Sequence, residues 1–142
     1  MCPRWRTGRR FNGKFITAGC KSLDNKDIAV LRKIREHIGA IMRYCQNCAD
    51  MEDFQADSMR VEATVFNLMQ IGELSKFSLS DATKARLSNI PWHQLYGMRN
   101  RIVHGYSGIN MRIVWETVSG DIPALDRELE GVLVKLSDSY GD

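Results

Sequence analysis

The stretch "DNKDIAVLRKIREHIGAIMRYCQNC", Asp24 to Cys48, carries apolar side chains at spacings of three and four residues. These positions are Ile28, Leu31, Ile34, Ile38, Ile41, Cys45 and Cys48. Such spacing places them on one face of an α-helix, because the helix completes a turn in about 3.6 residues. Asp24 and Asn25 are suitable N-cap residues. The stretch predicts one long amphipathic helix that buries this face.

A second long helix is predicted after a polar break at residues 49–58. Its packing face is formed by Val61, Val65, Leu68, Met69 and Gly72. A glycine on such a face has no side chain and permits the close approach of another backbone. We therefore expect Gly72 to lie against a neighbouring helix.

Shorter helical patterns fill the rest of the chain. Ser80 is a suitable N-cap for a short helix, and Pro91 suits the first turn of another helix that ends at Gly105. A further pattern ends at Gly120, and a last helix has Pro123 in its first turn. No segment alternates for long enough with the period of two that is typical of a β-strand. The sequence predicts an all-α, antiparallel helical bundle with two long helices and several shorter ones.

The net charge of +3 is unevenly distributed along the 142 residues. Residues 1–22 contain six basic residues and no acidic one: Arg4, Arg6, Arg9, Arg10, Lys14 and Lys21. From residue 23 onward, fourteen of the 20 basic residues remain against all 17 acidic ones. We expect residues 1–22 to be a basic flexible leader, either an extension without a role or an arm that contacts nucleic acid. Residues 23–142 are expected to form one domain.

Several classes of protein are disfavoured by the sequence. It contains no run of 18 apolar residues and no secretory signal, so we expect a cytoplasmic protein without a membrane span. The four cysteines, Cys2, Cys20, Cys45 and Cys48, are expected to be free thiols. Cys45 and Cys48 have the spacing of half a zinc site, but they continue an apolar face and are predicted to be small buried side chains. Paired Glu-x-x-His motifs and glycine-rich nucleotide loops are absent, so neither a metal nor a cofactor is expected.

The segment "MRNRIVHGYSG", residues 98–108, is the remaining candidate for a functional site. On a helix, Asn100 and His104 share a face, whereas Arg99 lies about 140° around the axis from His104. A long arginine reaching round, an unwound helix end or a second copy of the helix would each bring Arg99, His104 and Tyr106 together. The alternative is that the basic side chains only complement the dipole at the helix C-terminus.

The chemistry of these side chains suits cleavage of RNA without a metal. Histidine exchanges a proton near neutral pH and can deprotonate a ribose 2′-OH for attack on the adjacent phosphorus. The planar guanidinium of arginine can hold a phosphate and stabilise charge that develops on its oxygens. His104 and Arg99 are therefore the candidate catalytic pair.

The spacing Arg99-x-x-x-x-His104-x-Tyr106 resembles the R-x4-H-x-Y motif of the HEPN superfamily, in the branch of HepT-like toxins. Three blocks, "VFNLMQIGELSK", "IPWHQLYGMRNRIVHGY" and "VWETVSGDIPAL", resemble that branch in the same order. The resemblance covers about residues 23–137 and implies a helical bundle of the HEPN type. The basic leader resembles nothing in the family.

The resemblance also implies a function. Relatives are ribonuclease toxins of toxin–antitoxin modules, and they form homodimers with both motifs at the subunit interface. Their antitoxin, MntA, is a nucleotidyltransferase that transfers AMP from ATP onto the motif tyrosine. Carried over, Arg99 and His104 are catalytic, Asn100 and Tyr106 support the site, and Tyr106 is the target of AMPylation. Glu73 is a candidate for orienting a motif cation, although a solvated glutamate is an equal alternative.

Two other functions compete with an RNA-cleaving toxin. A catalytically weak HEPN scaffold would bind a nucleotidyltransferase partner or nucleotides, because a fold does not guarantee activity. A simple nucleic-acid-binding module is disfavoured by the acidic body. For the homodimer, Trp92, Tyr96 and Met98 are candidate interface residues, with packing inside the monomer as the alternative.

Overall fold

The computed structural model describes residues 23–105 and 108–140, and these residues form an all-α bundle. Its elements are α1 (Asn25–Cys45), α2 (Met51–Gln55), α3 (Ser58–Glu73), a π-helical segment (Leu74–Ser78), α4 (Asp81–Arg86), α5 (Trp92–His104), α6 (Met111–Glu116), a second π-helical segment (Thr117–Asp121) and α7 (Ile122–Tyr140). Helix α3 packs against both α1 and α5, and α1 also packs against α7. The described residues contain no β-strand, so the predicted all-α class is confirmed. None of their helices is long and apolar enough to cross a membrane.

Helix α1 follows the predicted pattern. Asp24 is its N-cap and accepts a hydrogen bond from the Lys26 N–H at 3.2 Å. The apolar face is buried in the core through Ile28, Leu31, Ile34, Ile38 and Ile41. One expectation was wrong: the helix ends at Cys45, so Cys48 lies beyond it. Both cysteines nevertheless pack against the core as free thiols, and burial raises the pKa of the Cys45 thiol.

The polar break predicted at residues 49–58 contains a short helix that the sequence pattern did not indicate. Helix α2 begins after Asp50, whose carboxylate accepts a hydrogen bond from the Asp53 N–H at 2.9 Å. Phe54 is fully buried, and its ring centroid lies 5.6 Å from that of Trp115. Helix α2 contains two apolar residues, Met51 and Phe54, which are too few to show a helical periodicity. Tertiary packing of Phe54 therefore stabilises this helix.

The predicted break at Gly120 was also wrong. The chain is helical without interruption from Met111 to Tyr140, and Gly120 lies inside the second π-helical segment. There the Ile122 N–H donates to the Thr117 carbonyl, five residues earlier. The wider turn leaves room for Pro123, which has no N–H and whose ring would crowd the carbonyl of an ordinary α-helical turn. The π turn thus joins two predicted helices into one.

A buried carboxylate ties α1 to the start of α4. Asp27 accepts hydrogen bonds from the Ser80 N–H at 3.2 Å, the Ser80 hydroxyl at 2.6 Å and the Thr83 hydroxyl at 2.5 Å. Ser80 is the N-cap of α4, as the sequence predicted. Burial would raise the pKa of the Asp27 carboxyl, but these hydrogen bonds outweigh burial and hold the pKa below its ordinary value. The folded state therefore favours the charged carboxylate.

We expect Asp27→Ala to lower the free energy of unfolding by about 2 kcal/mol at pH 7, because it leaves the buried Thr83 hydroxyl and the Ser80 hydroxyl without their charged acceptor. Since the folded-state pKa is the lower one, the wild-type contribution is present above the ordinary Asp pKa of about 3.9 and is lost as the pH falls through the folded-state pKa. Urea unfolding at pH 7 and pH 3 measures both effects. Asp138→Ala, at an exposed site on α7, is the control. Equal stability of Asp27→Ala and wild type at pH 7 would refute this role.

Candidate active site

The candidate site begins at a close contact between α3 and α5. Gly72 is buried on α3, and a Cβ built there would collide with the Arg99 Cβ and lie 2.8 Å from the Leu95 carbonyl oxygen. The predicted close approach at Gly72 is confirmed. This contact brings Glu73, the last residue of α3, beside the middle of α5.

Glu73 and Arg99 form an ion pair at this contact. Arg99 Nε and Nη2 each lie 2.6 Å from the same oxygen, Glu73 Oε1. Arg99 Nη1 donates to Asn100 Oδ1 at 3.0 Å. The Arg99 side chain is about four-fifths buried, with a relative exposure of 20%. Of the five N–H donors of a guanidinium, two bond to no residue that the structure describes, so Arg99 is an oriented cation with spare hydrogen-bonding capacity.

His104 occupies a different environment. It is the last residue of α5, and its side chain is exposed. The side chain makes no hydrogen bond or ion pair with another described residue. Arg101 and His104 both lie in the last turn, where positive charge also complements the helix dipole. Gly105 follows as the C-cap with φ of −131°, so it ends the helix without a left-handed conformation.

The structure brings Glu73, Arg99 and Asn100 together but does not bring Arg99 to His104. The helix remains regular through His104, so the end does not unwind, and Glu73 holds Arg99 toward α3. The two side chains therefore diverge by about 140° around one helix. Tyr106 lies outside the described residues. The described residues of the chain thus assemble only part of the predicted site.

The three candidate interface residues lie in different environments. Met98 is in the monomer core, with a relative exposure of 5%, so the interface prediction was wrong for this residue. Trp92 is half-buried, and its indole N–H donates to the Leu87 carbonyl at 3.0 Å. Tyr96 is half-buried beside Phe77 and Arg99. No group of three or more potential metal-ligating side chains occurs within the described ranges.

We expect Gly72→Ala to force α5 away from α3, because the new methyl group collides with backbone as well as with Arg99. Overpacking of this kind typically costs about 1–3 kcal/mol, and displacement of Arg99 from Glu73 should lower activity as well. Gly97→Ala is the matched control on α5, where an added Cβ meets nothing within 4 Å. Thermal unfolding of both variants is the measurement. Equal melting temperatures would show that the helix contact is not tight.

The helical bundle, with the R-x4-H-x-Y spacing at the end of α5 and its arginine paired to α3, defines a protein of the HEPN class. The chain belongs to the HepT-like ribonuclease family, whose model, described as "Ribonuclease HepT-like", matches residues 34–132. This range includes Glu73, Arg99 and His104.

Related proteins of bacteria and archaea match most of the chain. A protein of Thermococcus cleftensis named "Probable ribonuclease HepT" is 34% identical over 100 residues, which cover 70% of this chain and 89% of the relative. A protein of Caldanaerobacter subterraneus named as an inferred RNase is 38% identical over 84 residues, 59% of this chain and 74% of the relative. A similarly named protein of Methanocaldococcus jannaschii is 28% identical over 109 residues, 76% of this chain and 98% of the relative. No solved structure gives a significant match.

Proposed function

We propose that this protein is an endoribonuclease that cleaves RNA without a metal ion. The observation that carries the proposal is the orientation of Arg99. Glu73 and Asn100 hold its guanidinium, and two of its N–H donors bond to no described residue and remain for a phosphate. Membership of a ribonuclease family supports RNA as the substrate. The exposed imidazole of His104 supplies a candidate general base.

The proposed reaction is attack within the RNA strand. His104 takes the proton of a ribose 2′-OH, and the resulting oxygen forms a bond to the adjacent phosphorus. The bond from phosphorus to the 5′ oxygen of the next nucleotide breaks, and that oxygen leaves with a proton from solvent. The products are a 2′,3′-cyclic phosphate and a 5′-hydroxyl. Arg99 stabilises the charge that develops on the phosphoryl oxygens, while Glu73 and Asn100 act as positioning residues that keep its donors in place.

The divergence of Arg99 and His104 supports a cleft formed by two copies of the chain. A twofold dimer in which two α5 helices face each other would place one copy's arginine near the other copy's histidine. Val103, on the last turns of α5, is 43% exposed and is available to such an interface. The homodimer is therefore part of the proposal.

The homodimer predicts a solution mass of twice the 16.2 kDa chain mass. Light scattering at micromolar concentration measures that mass without reference to activity. A Val103→Glu variant should shift the mass toward the monomer, because it would bury unpaired charge at the interface. A wild-type monomer at these concentrations would remove the composite cleft from the account.

Control by a partner enzyme completes the proposal. In this view the protein is the toxin of a toxin–antitoxin module in the cytoplasm, and an MntA-like nucleotidyltransferase neutralises it by AMP transfer onto Tyr106. The resemblance of the motif to HepT-like toxins supports this part of the proposal. An AMP phosphate beside Arg99 would compete with RNA for the two spare N–H donors.

The test of the proposed function is cleavage of RNA by the purified protein. An RNA oligonucleotide of mixed sequence should be cut, whereas DNA of the same sequence should remain intact because it lacks the 2′-OH. The alternative function is a catalytically weak HEPN scaffold that binds a nucleotidyltransferase or nucleotides. Absence of any RNA cleavage would reject the nuclease, and binding of a nucleotidyltransferase or nucleotides by the inactive protein would then support this alternative.

A further inference from the structure

An exposed aromatic side chain packs against Tyr96, whose ring lies beside Arg99 of the Glu73–Arg99 pair. Phe77 is 63% exposed, and its ring packs edge-on against Tyr96, with ring centroids 5.8 Å apart and an interplanar angle of 85°. Lys76 Nζ lies 5.2 Å from the centroid of the Tyr96 ring, and Arg99 Cζ lies 5.8 Å from it. We call Lys76, Phe77 and Tyr96 the aromatic–cation cluster. It combines an open ring face with positive charge.

The geometry of two helices makes the cluster continuous with Arg99. The π-helical segment Leu74–Ser78 extends α3 directly beyond Glu73, so Lys76 and Phe77 follow Glu73 on the side that approaches α5. Tyr96 precedes Arg99 by three residues and shares its face of α5. Tyr96 is therefore in contact with both the cluster's exposed ring and the candidate catalytic guanidinium.

The charge of this surface is complementary to a polyanion. Glu73 is compensated by its ion pair with Arg99. Lys76 forms no ion pair with any residue that the structure describes, so its charge is uncompensated. A single exposed phenylalanine is common on protein surfaces. Here, however, the exposed ring packs against Tyr96, and the Tyr96 ring lies beside both Lys76 and Arg99. A stacking surface next to cations is the combination that single-stranded nucleic acid requires.

We propose that the aromatic–cation cluster is a nucleotide subsite for RNA. A base of the strand stacks on Phe77, and Lys76 contacts a phosphate of the same strand, next to the scissile phosphate at Arg99. The inference rests on the proposed ribonuclease function and adds the residues that hold the flanking nucleotide. Base stacking tolerates any sequence, because every base has a flat aromatic face. The subsite would therefore position RNA with little discrimination among bases.

A second copy of this chain is the other occupant to consider. At a twofold interface the same surface patch is contributed by both copies, so a contact centred on the cluster would bring two uncompensated Lys76 side chains near each other. RNA instead supplies negative charge to this surface. The charge therefore favours RNA.

The test measures binding separately from cleavage. The probe is a fluorescein-labelled RNA in which every ribose carries a 2′-O-methyl group, so that attack through the 2′-OH is impossible. Fluorescence anisotropy with the full chain gives its Kd. Phe77→Ala should raise the Kd about tenfold, since a base–aromatic stack accounts for about 1–3 kcal/mol, whereas Phe77→Trp should retain binding. Lys76→Ala should make the association constant less sensitive to salt. The slope of its logarithm against the logarithm of the salt concentration should fall by about one, the equivalent of one phosphate contact.

Phe66→Ala is the matched control, because Phe66 is a second exposed phenylalanine on α3, at 52%, and lies outside the cluster. An abasic nucleotide at one probe position should abolish the difference between wild type and Phe77→Ala. That result would assign the stacked base. Equal Kd values for Phe77→Ala, Phe66→Ala and wild type would overturn the subsite. A Phe77→Ala variant that binds RNA normally but no longer has the mass of a dimer would also overturn it, because the cluster would then contact a second copy of the chain.

The two proposals fail in different ways. Phe77-dependent binding of the 2′-O-methyl probe without cleavage of ordinary RNA would reject the nuclease function and retain the RNA subsite. Cleavage of ordinary RNA together with Phe77-independent binding would reject the subsite alone.

Discussion

His104→Ala should lower the rate of RNA cleavage by about 10²- to 10⁴-fold, because removal of a proton-transfer group typically costs this much. If the proposed toxin role holds, expression of the wild-type protein alone should arrest growth, and a loss of this size should relieve the arrest. The His104 side chain is exposed at the end of α5 and makes no hydrogen bond or ion pair with another described residue, so the alanine variant should fold normally. Colony formation on induction and the initial cleavage rate are the two measurements.

His93→Ala is the matched control for this prediction, because His93 is also exposed and lies at the other end of the same helix. It should remain toxic. Arg99→Ala should be as inactive as His104→Ala, and Arg99→Lys should recover little, since an ammonium group lacks the planar arrangement of donors. Toxicity of both alanine variants at wild-type protein levels would show that Arg99 and His104 are not the catalytic pair.

Transfer of AMP to Tyr106 should reduce cleavage to the level of the His104→Ala variant. The added phosphate would occupy the spare donors of Arg99, and the nucleotide would fill the space that RNA needs. Co-expression with an MntA-like nucleotidyltransferase, followed by intact-mass and peptide mass spectrometry, identifies the modified residue. AMP should be found on Tyr106 and on no other tyrosine.

Tyr106→Phe supplies the control for this mechanism. It cannot accept AMP, so it should remain toxic in the presence of a catalytically competent nucleotidyltransferase. Adducts confined to Tyr44, Tyr96 or Tyr140 would contradict the assignment. Neutralisation of a toxic Tyr106→Phe variant without formation of a stable complex would place control of the toxin elsewhere.

The helical architecture could be predicted where apolar residues repeat over several turns. Helix α1 begins at its predicted cap, and its predicted face is buried, because burial of such a face is what stabilises a helix. Helix α2 could not be predicted, since its position depends on the packing of Phe54 against Trp115, which lies far along the chain. The join at Gly120 was missed because glycine and proline usually interrupt helices, whereas a π turn accommodates them here.

In the candidate site, too, local patterns could be predicted from the sequence, whereas contacts between distant elements could not. The motif spacing identified Arg99 and His104, and Gly72 correctly indicated a close helix contact. The resulting Glu73–Arg99 ion pair joins residues 26 positions apart, so only the packing of α3 on α5 places them together. The aromatic–cation cluster was missed for the same reason: Phe77 and Tyr96 lie on different elements, and neither belongs to a motif that local spacing can detect.

The chemical form of the cleaved RNA ends distinguishes attack by the ribose 2′-OH from metal-dependent hydrolysis. RNA incubated with the purified protein in excess EDTA should be cut to fragments that end in a 2′,3′-cyclic phosphate and begin with a 5′-hydroxyl, as mass spectrometry of the fragments would show. A single 2′-deoxyribose at the cleaved position should block the reaction, because the attacking oxygen is then absent. Loss of cleavage in EDTA, or fragments that end in a 3′-hydroxyl, would contradict a metal-independent ribonuclease that acts through Arg99 and His104.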